Sequence, residues 1–555
     1  MSTDSFGNIA AYLPDMASRQ PDTIAVYCPR GRFAPHQPYA GITYAELEQQ
    51  SNRLAAALVN VGVARGVRTV LMVTPGLDFF AVTFALFKIG AVPVLVDPGM
   101  GTKNLKTCLN EAQPTAFIGI PKAHLARRLC GWARTSLAVN ITTGPRLWFD
   151  EQSLSQLSAQ ADAQTPFVPV DPAPDETAAI LFTSGSTGVP KGVVYTHQNF
   201  LAQVKALKTI YRIQPGEIDL PTFPLFALFA PALGMTSVIP QMDFTRPGQV
   251  DPEKIVAAIR RFQVTTMFGS PALIRRVALY GNQLNVSLPT LKRAISAGAP
   301  VAASSLELFR RLMPENACIH TPYGATEALP VSSIDSTTIL EHTRRLTEQG
   351  LGICVGRPVP GVEAGIIPIA DEPIPRFNVD SLLAVGDIGE IIVSGEQVTR
   401  CYYNRESSTR LAKIDDSENK RFFHRMGDLG YLDADGRIWF CGRKSHRVVT
   451  AENTFFTIPC EGVFNVHPHV FRTALVGVEI KANKVPLICV ELEPGTSRQQ
   501  HAEILADLRR IATEFDHTAQ IEHFLIHPEF PVDIRHNAKI FREKLAVWAQ
   551  QQVRQ

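Results

Sequence analysis

The sequence predicts an α/β protein: a large N-terminal part with doubly wound sheets, followed by a small α/β unit. Three observations carry that expectation. Residues 67–74 read as a strand, 78–88 as a helix and 92–96 as a strand, and this βαβ rhythm implies parallel pairing through crossover helices. Residues 177–182 form a short apolar run of β-formers that stops at Gly- and Ser-rich positions, the pattern of a buried strand feeding a loop. Beyond residue 443 the chain has its own short series: strand-like 474–478 and 487–492, then a helix at 502–515.

Composition agrees with this size. The chain has 555 residues, 45% hydrophobic and 19% charged, enough for a large core and more than one domain. A net charge of +2 gives no field argument for nucleic acid. Arginine pairs such as Arg127-Arg128 and Arg275-Arg276 are scattered, and they read as solvated helix faces. The nine cysteines include no C-x-x-C pair, which suggests reduced thiols in a cytoplasmic setting and argues against zinc. Met1 to Gly7 lacks the basic and apolar regions of a signal peptide. The greasiest run, 79–96, contains Lys88, Gly90 and Pro93, so it reads as helix, turn and strand rather than a membrane span.

The elements follow in order. Thr43 is placed to cap a helix, with Glu46 three residues on and Leu47, Leu54 and Leu58 along one face. Residues 152–175, rich in Ala, Gln, Ser, Asp and Pro, read as a loop. After the strand at 177–182 come Thr183, Ser184, Gly185, Ser186, Thr187, Gly188, Lys191 and Gly192. Glycines allow close backbone approach, exposed N–H groups can cradle phosphate oxygens, and the lysine adds positive charge. The Walker A spacing is absent. A strand at 193–195 leads into a helix from about Thr196, with Phe200, Val204, Leu207 and Tyr211 on one face. Asp251 followed by Pro252 opens another helix. Two further loops are expected at 294–300 and 321–327, and 415–420 reads as a surface loop.

The string Thr183-Ser-Gly-Ser-Thr-Gly-Val-Pro-Lys-Gly192 resembles the signature loop of the adenylate-forming superfamily, which includes acyl-CoA synthetases, adenylation domains and luciferase. The resemblance spans about residues 40 to 545. It implies a large AMP-binding domain at 1–443 and a small mobile α/β domain at 444–555. It also implies site roles. Residues 183–188 with Lys191 would hold phosphates, with Thr187 among the catalytic groups. Gly298, Ala299 and Pro300 would form the adenine slot. Within Tyr323-Gly-Ala-Thr-Glu327, Tyr323 would pack on adenine beside Gly324 and Ala325, Thr326 would contact the α-phosphate, and Glu327 would hold Mg²⁺. Asp428 would bind the ribose hydroxyls, Arg443 the ribose or phosphate, and Lys539 would orient ATP and the carboxylate for adenylation.

Phe223, Phe226, Ala227 and Phe229 would line the acyl pocket, with Ala227 small where the family often has a histidine or aromatic. Ordinary core aromatics is an equal reading of the three phenylalanines. Cys401 replaces a glycine and reads as a packing change, and Ser445 takes the hinge position. Ala451 and Glu452 stand where CoA-forming members carry a glycine pair. The strings 321–330, 223–229 and 456–461 are most similar to the olefin-pathway branch, the β-lactone synthetases. That resemblance implies ATP- and Mg²⁺-dependent activation of a long-chain 2-alkyl-3-hydroxy acid, then attack by its own hydroxyl to give a β-lactone. Other enzymes of the olefin pathway become candidate partners. Two alternatives stay open: a ligase for CoA or a carrier protein, and a nucleotide-binding protein without turnover.

Overall fold

The structure is a computed structural model that describes residues 7–30, 39–161, 167–183, 190–223, 228–481, 483–533 and 539–554. Two large sheets dominate it. The first has seven strands in the order Glu151–Ser153, Val139–Thr142, Ala116–Gly119, Arg68–Met72, Val92–Val96, Thr177–Thr183 and Lys191–Thr196. Every pair is parallel except the last, where Thr183 faces Lys191 across a hairpin. The second sheet is parallel from Ile24–Pro29 through Thr236–Val238, Ile218–Pro221, Thr266–Phe268 and Arg293–Ile295 to Cys318–Ala325. It then turns antiparallel through Ala328–Asp335, Ile353–Pro358, Ile438–Arg443, Arg421–Leu432, Gly389–Gly395 and Val362–Ile367. The doubly wound, mixed architecture expected from the βαβ rhythm is present.

The helices Tyr44–Asn60, Leu77–Ile89 and His197–Tyr211 lie between the two sheets and share one core with both. This explains the greasiest run in the sequence. Residues from Phe79 to Ile89 are buried all round, as a helix sandwiched between layers must be. Lys88 is tolerated there because its ammonium donates to Glu48 at 2.6 Å, Ser51 at 2.8 Å and Asn52 at 2.6 Å. Thr43 and Glu46 form the expected capping box, and Asp251 caps Pro252–Phe262. On the outer faces, Thr102–Ala112 covers the first sheet, and Pro252–Phe262, Pro271–Gln283 and Ala303–Arg310 cover the second.

The chain leaves the large sheet at Arg443 through a short turn, Lys444–His446. A third, three-stranded sheet then forms from Val470–Ile480, Asn483–Leu492 and His523–Ile526, packed by Thr457–Phe464, His501–Ala512 and Arg542–Arg554. The buried Glu461 ties this unit together by pairing with Arg542 at 2.7 Å and accepting the Leu475 amide at 2.8 Å. Among the described residues no helix is long and apolar enough to cross a membrane.

Three loop expectations need correction. Residues 152–175 contain the helix Leu154–Gln160, whose Leu154 is buried in the core. Residues 415–420 hold the end of the strand Lys413–Asp416, paired with Arg421–Leu432, because Ile414 fills an apolar pocket beside Phe423. Residues 321–325 are strand, not loop. They pair with Ala328–Asp335, which leaves Thr326 and Glu327 as the two-residue hairpin turn.

Candidate active site

The functional residues expected from the motifs gather where the antiparallel end of the large sheet meets the small domain. Asp428 lies on Arg421–Leu432 and faces Arg443 on the neighbouring strand in direct register. Its Oδ2 accepts the Tyr323 hydroxyl at 2.7 Å, and Arg443 Nη1 sits 3.0 Å from Oδ1. Burial raises the pKa of Asp428, and the Arg443 guanidinium opposes that rise. Oδ1 is buried and accepts no hydrogen bond among the described residues. That buried oxygen has the Arg443 charge beside it but no aligned hydrogen-bond donor among the described residues, so it keeps the capacity to accept from a ligand hydroxyl, and the site fits a ribose. Tyr323 is held well above its ordinary pKa by burial and by the Asp428 charge, so it remains a hydrogen-bond donor.

The hairpin turn carries the second group. Tyr402 donates to Glu327 Oε1 at 2.7 Å, while Oε2 accepts no hydrogen bond among the described residues. The Glu327 carbonyl accepts the Thr399 amide at 2.9 Å and its hydroxyl at 3.1 Å, and Tyr195 donates to the Thr326 carbonyl at 2.5 Å. The turn is thus pinned from two segments, at Tyr195 and at residues 399–402, with one carboxylate oxygen left for a cation. A single carboxylate that shares Mg²⁺ with phosphates is an ordinary arrangement, so Glu327 fits that role. Lys191 lies 4.9 Å from the Tyr402 ring centroid, which puts a positive charge beside the same turn.

Lys539 comes from the small domain. Its amide donates to Asp533 Oδ1 at 3.0 Å and its carbonyl accepts the Asp533 amide at 3.0 Å, which fixes its backbone just before the final helix. Burial lowers its pKa first, and Arg443 lowers it further; Asp533, Asp428 and Glu327 pull the other way. Lys539 therefore feels Asp428, Glu327 and Arg443, the three charged groups that the family motifs also select.

Other expected residues are placed as follows. Gly298, Ala299 and Pro300 follow the strand Arg293–Ile295, with Gly298 at φ 95° and exposed, a backbone that favours glycine. Gly324 could not carry a side chain, because a Cβ would lie 2.5 Å from the Ala328 carbonyl oxygen. Thr183 ends its strand, whereas Ser184, Gly185, Ser186, Thr187 and Gly188 lie outside the described residues, as do Phe226 and Ala227. Ala451 and Glu452 sit at the exposed tip of the hairpin Val448–Val449 and Thr454–Phe455, closed by Thr450 and Asn453.

An apolar cavity of about 60 Å³ opens beside the Tyr323 strand. Phe229, Leu233, Met235, Phe268, Ile295 and Leu329 line it, which bears on the acyl-wall expectation for Phe229. Phe223 borders this wall with its ring 6.4 Å from that of Phe268. Asp219 also lines the cavity, and burial pushes its pKa to about 8. Sequence reasoning missed Asp219, Tyr402 and Tyr195. A signal for Asp219 was available: a lone acid between Ile218 and Leu220 inside a strand. The two tyrosines carry no such mark, because their partners lie more than seventy residues away.

The chain is similar to known proteins along nearly its whole length. The family model described as AMP-binding enzyme matches residues 13–403. The chain is 52% identical over 553 residues to an olefin beta-lactone synthetase of Xanthomonas campestris pv. campestris, covering 98% of each chain. It is 50% identical to an olefin beta-lactone synthetase of Stenotrophomonas maltophilia, again covering 98% of each. Among solved structures, the amide bond synthetase McbA from Marinactinospora thermotolerans superposes with a TM-score of 0.80 at 22% identity, covering 98% of this chain and 99% of that one, and shares the fold. The chain belongs to the AMP-binding enzyme family.

Proposed function

We propose that the protein is an AMP-forming ligase that converts a long-chain 2-alkyl-3-hydroxy acid into a β-lactone. The observation that carries this reading is the 52% identity along essentially the whole chain to a relative named for that reaction. In the first step the substrate carboxylate attacks the α-phosphorus of ATP, and pyrophosphate leaves. Lys539 and the backbone of 183–188 would stabilise the developing charge, and Thr326 would hold the α-phosphate. Asp428 and Arg443 would hold the ribose, and Tyr323 would back the adenine beside Gly298, Ala299 and Pro300. Mg²⁺ on Glu327 would neutralise phosphate charge.

In the second step the substrate's own hydroxyl oxygen bonds to the activated carbonyl carbon. The bond to AMP breaks, the hydroxyl proton passes to the departing AMP phosphate or to water, and the four-membered ring closes. Because the attack is intramolecular, proximity replaces a second binding site. Residues 444–555 would act as one moving unit about Ser445. Its exposed hairpin tip at Ala451 and Glu452 replaces the glycine pair of CoA-forming relatives, consistent with a reaction that needs no thiol. We place the work in the cytoplasm, where ATP is abundant and the nine cysteines would stay reduced, with enzymes of the olefin pathway as partners.

The test supplies ATP, Mg²⁺ and a 2-alkyl-3-hydroxy acid without CoA. Pyrophosphate and AMP should form, and NMR of the organic extract should show the lactone ring protons. A product that forms only with CoA, as an open thioester, would instead establish an acyl-CoA ligase.

A further inference from the structure

We propose that the outer edge of the seven-stranded sheet, where the helix Pro121–Cys130 meets residues 146–150, docks on an anionic lipid surface. The proposal stands apart from the reaction above, since none of these residues touches the candidate active site.

Large exposed apolar residues are mostly scattered singly along this chain, which is ordinary. Here four converge. Leu125 and Leu129 lie one turn apart on the helix and are 43% and 78% exposed; Leu147 and Phe149 are 49% and 102% exposed. Among the described residues none covers the Phe149 ring.

This is a braced display. The buried carboxylate of Glu151 accepts the Leu147 and Trp148 amides at 2.9 and 3.4 Å, and lies 3.4 Å from Nδ1 of the buried His124 on the helix. Arg128 pairs with Asp150 and lies 4.6 Å from the Trp148 ring centroid. The Arg146 guanidinium donates to the Phe149 carbonyl at 3.3 Å. Arg127 corrects the expectation of a solvated pair: it is only 8% exposed, 5.5 Å from the Phe117 ring, and helps wedge the helix against the sheet. The helix and residues 147–151 are thus held side by side, and each presents exposed apolar side chains.

Charge selects the occupant. Residues 101–150 carry seven lysines and arginines against two carboxylates, in a chain whose net charge is only +2. Lys106, Lys122, Arg134 and Arg146 are exposed on these and the adjoining segments. Apolar side chains ringed by cations match a bilayer interface that bears anionic headgroups, where the rings and leucines enter the acyl boundary and the cations meet phosphate.

The experiment is co-flotation of the full chain with vesicles of phosphatidylcholine and phosphatidylglycerol, and with phosphatidylcholine alone. The protein should float with the anionic vesicles, weaken in high salt, and bind the neutral vesicles about tenfold less. The double variant L129D/F149D should lose about tenfold or more of the binding while keeping pyrophosphate release on a water-soluble acid. Both positions are exposed, so the fold should hold, and a thermal melt checks this. No flotation, or flotation that the double variant leaves unchanged, would overturn the proposal. So would concentration-dependent self-association that disappears in the double variant without any vesicle binding, since that would assign the face to a second copy of the chain.

Discussion

The two halves of the candidate site are built on opposite principles. On the nucleotide side, Asp428, Arg443, Tyr323, Glu327 and Tyr402 lock one another by hydrogen bonds and charge across three strands and a turn. On the acyl side the wall is built from side chains such as Leu233, Met235 and Phe268, and among the described lining residues the one carboxyl is Asp219. A polar network needs particular atoms at particular distances. An apolar wall needs only volume and shape, and many sequences supply those. One half should therefore fail abruptly when altered, and the other should shift its preferences.

The largest expected effect breaks the polar half at its moving contributor. Lys539→Ala should slow adenylation by about 10²–10³-fold, the usual loss when a positioned charge on a transition state is removed. Its backbone contacts to Asp533 do not depend on the side chain, so the melting temperature should hardly change. Near-normal pyrophosphate release in a folded variant would remove Lys539 from the site.

A smaller effect is expected at the ribose seat. Asp428→Ala should weaken ATP binding by about 1.5–3 kcal/mol, the range for hydrogen bonds to a charged group. Arg443 loses its partner as well, but its side chain is about one-third exposed, 34%, so solvent screens much of that loss. Calorimetric titration distinguishes the outcomes: unchanged ATP affinity with an intact fold would count against the ribose role.

The same contrast explains how much could be read from the sequence. The motif residues Tyr323, Glu327, Asp428, Arg443 and Lys539 could be picked out as candidates because each stands in a short string of defined residue types. The alternation of strands and helices was legible because each face has a period. Cross-chain pairings were not. Tyr402 to Glu327 and Tyr195 to Thr326 join segments far apart in sequence, and a lone tyrosine does not announce its partner. Nor was it legible that residues 321–325 extend a strand, because the pairing that makes them one is tertiary. Arg127 misled for the same reason: its neighbour Arg128 is exposed, and only the packing of the helix on the sheet turns one guanidinium inward.

The apolar half yields the smallest effect, and it is read through pH. Asp219 faces the cavity, and burial pushes its pKa to about 8, with Glu217 adding to the rise and Arg293 opposing it. At neutral pH the carboxyl is therefore mostly uncharged and compatible with an alkyl chain. Above pH 8 a negative charge appears in the apolar wall, where desolvating it disfavours chain binding. If the chain seats only against the neutral form, its affinity should fall about tenfold between pH 7 and 9. KM for a long-chain acid should then rise over that window, while KM for ATP stays level. The effect on stability has the same sign. The folded pKa lies above the ordinary value near 3.9, so the contribution of this group is full below about pH 4 and is lost as pH rises through about 8. Asp219→Asn keeps the shape and removes the titration, so it should flatten both the KM profile and the loss of melting temperature between about pH 4 and 8. An unchanged profile in that variant would show that the acyl wall does not sense this carboxyl and that the pH response belongs to the polar half.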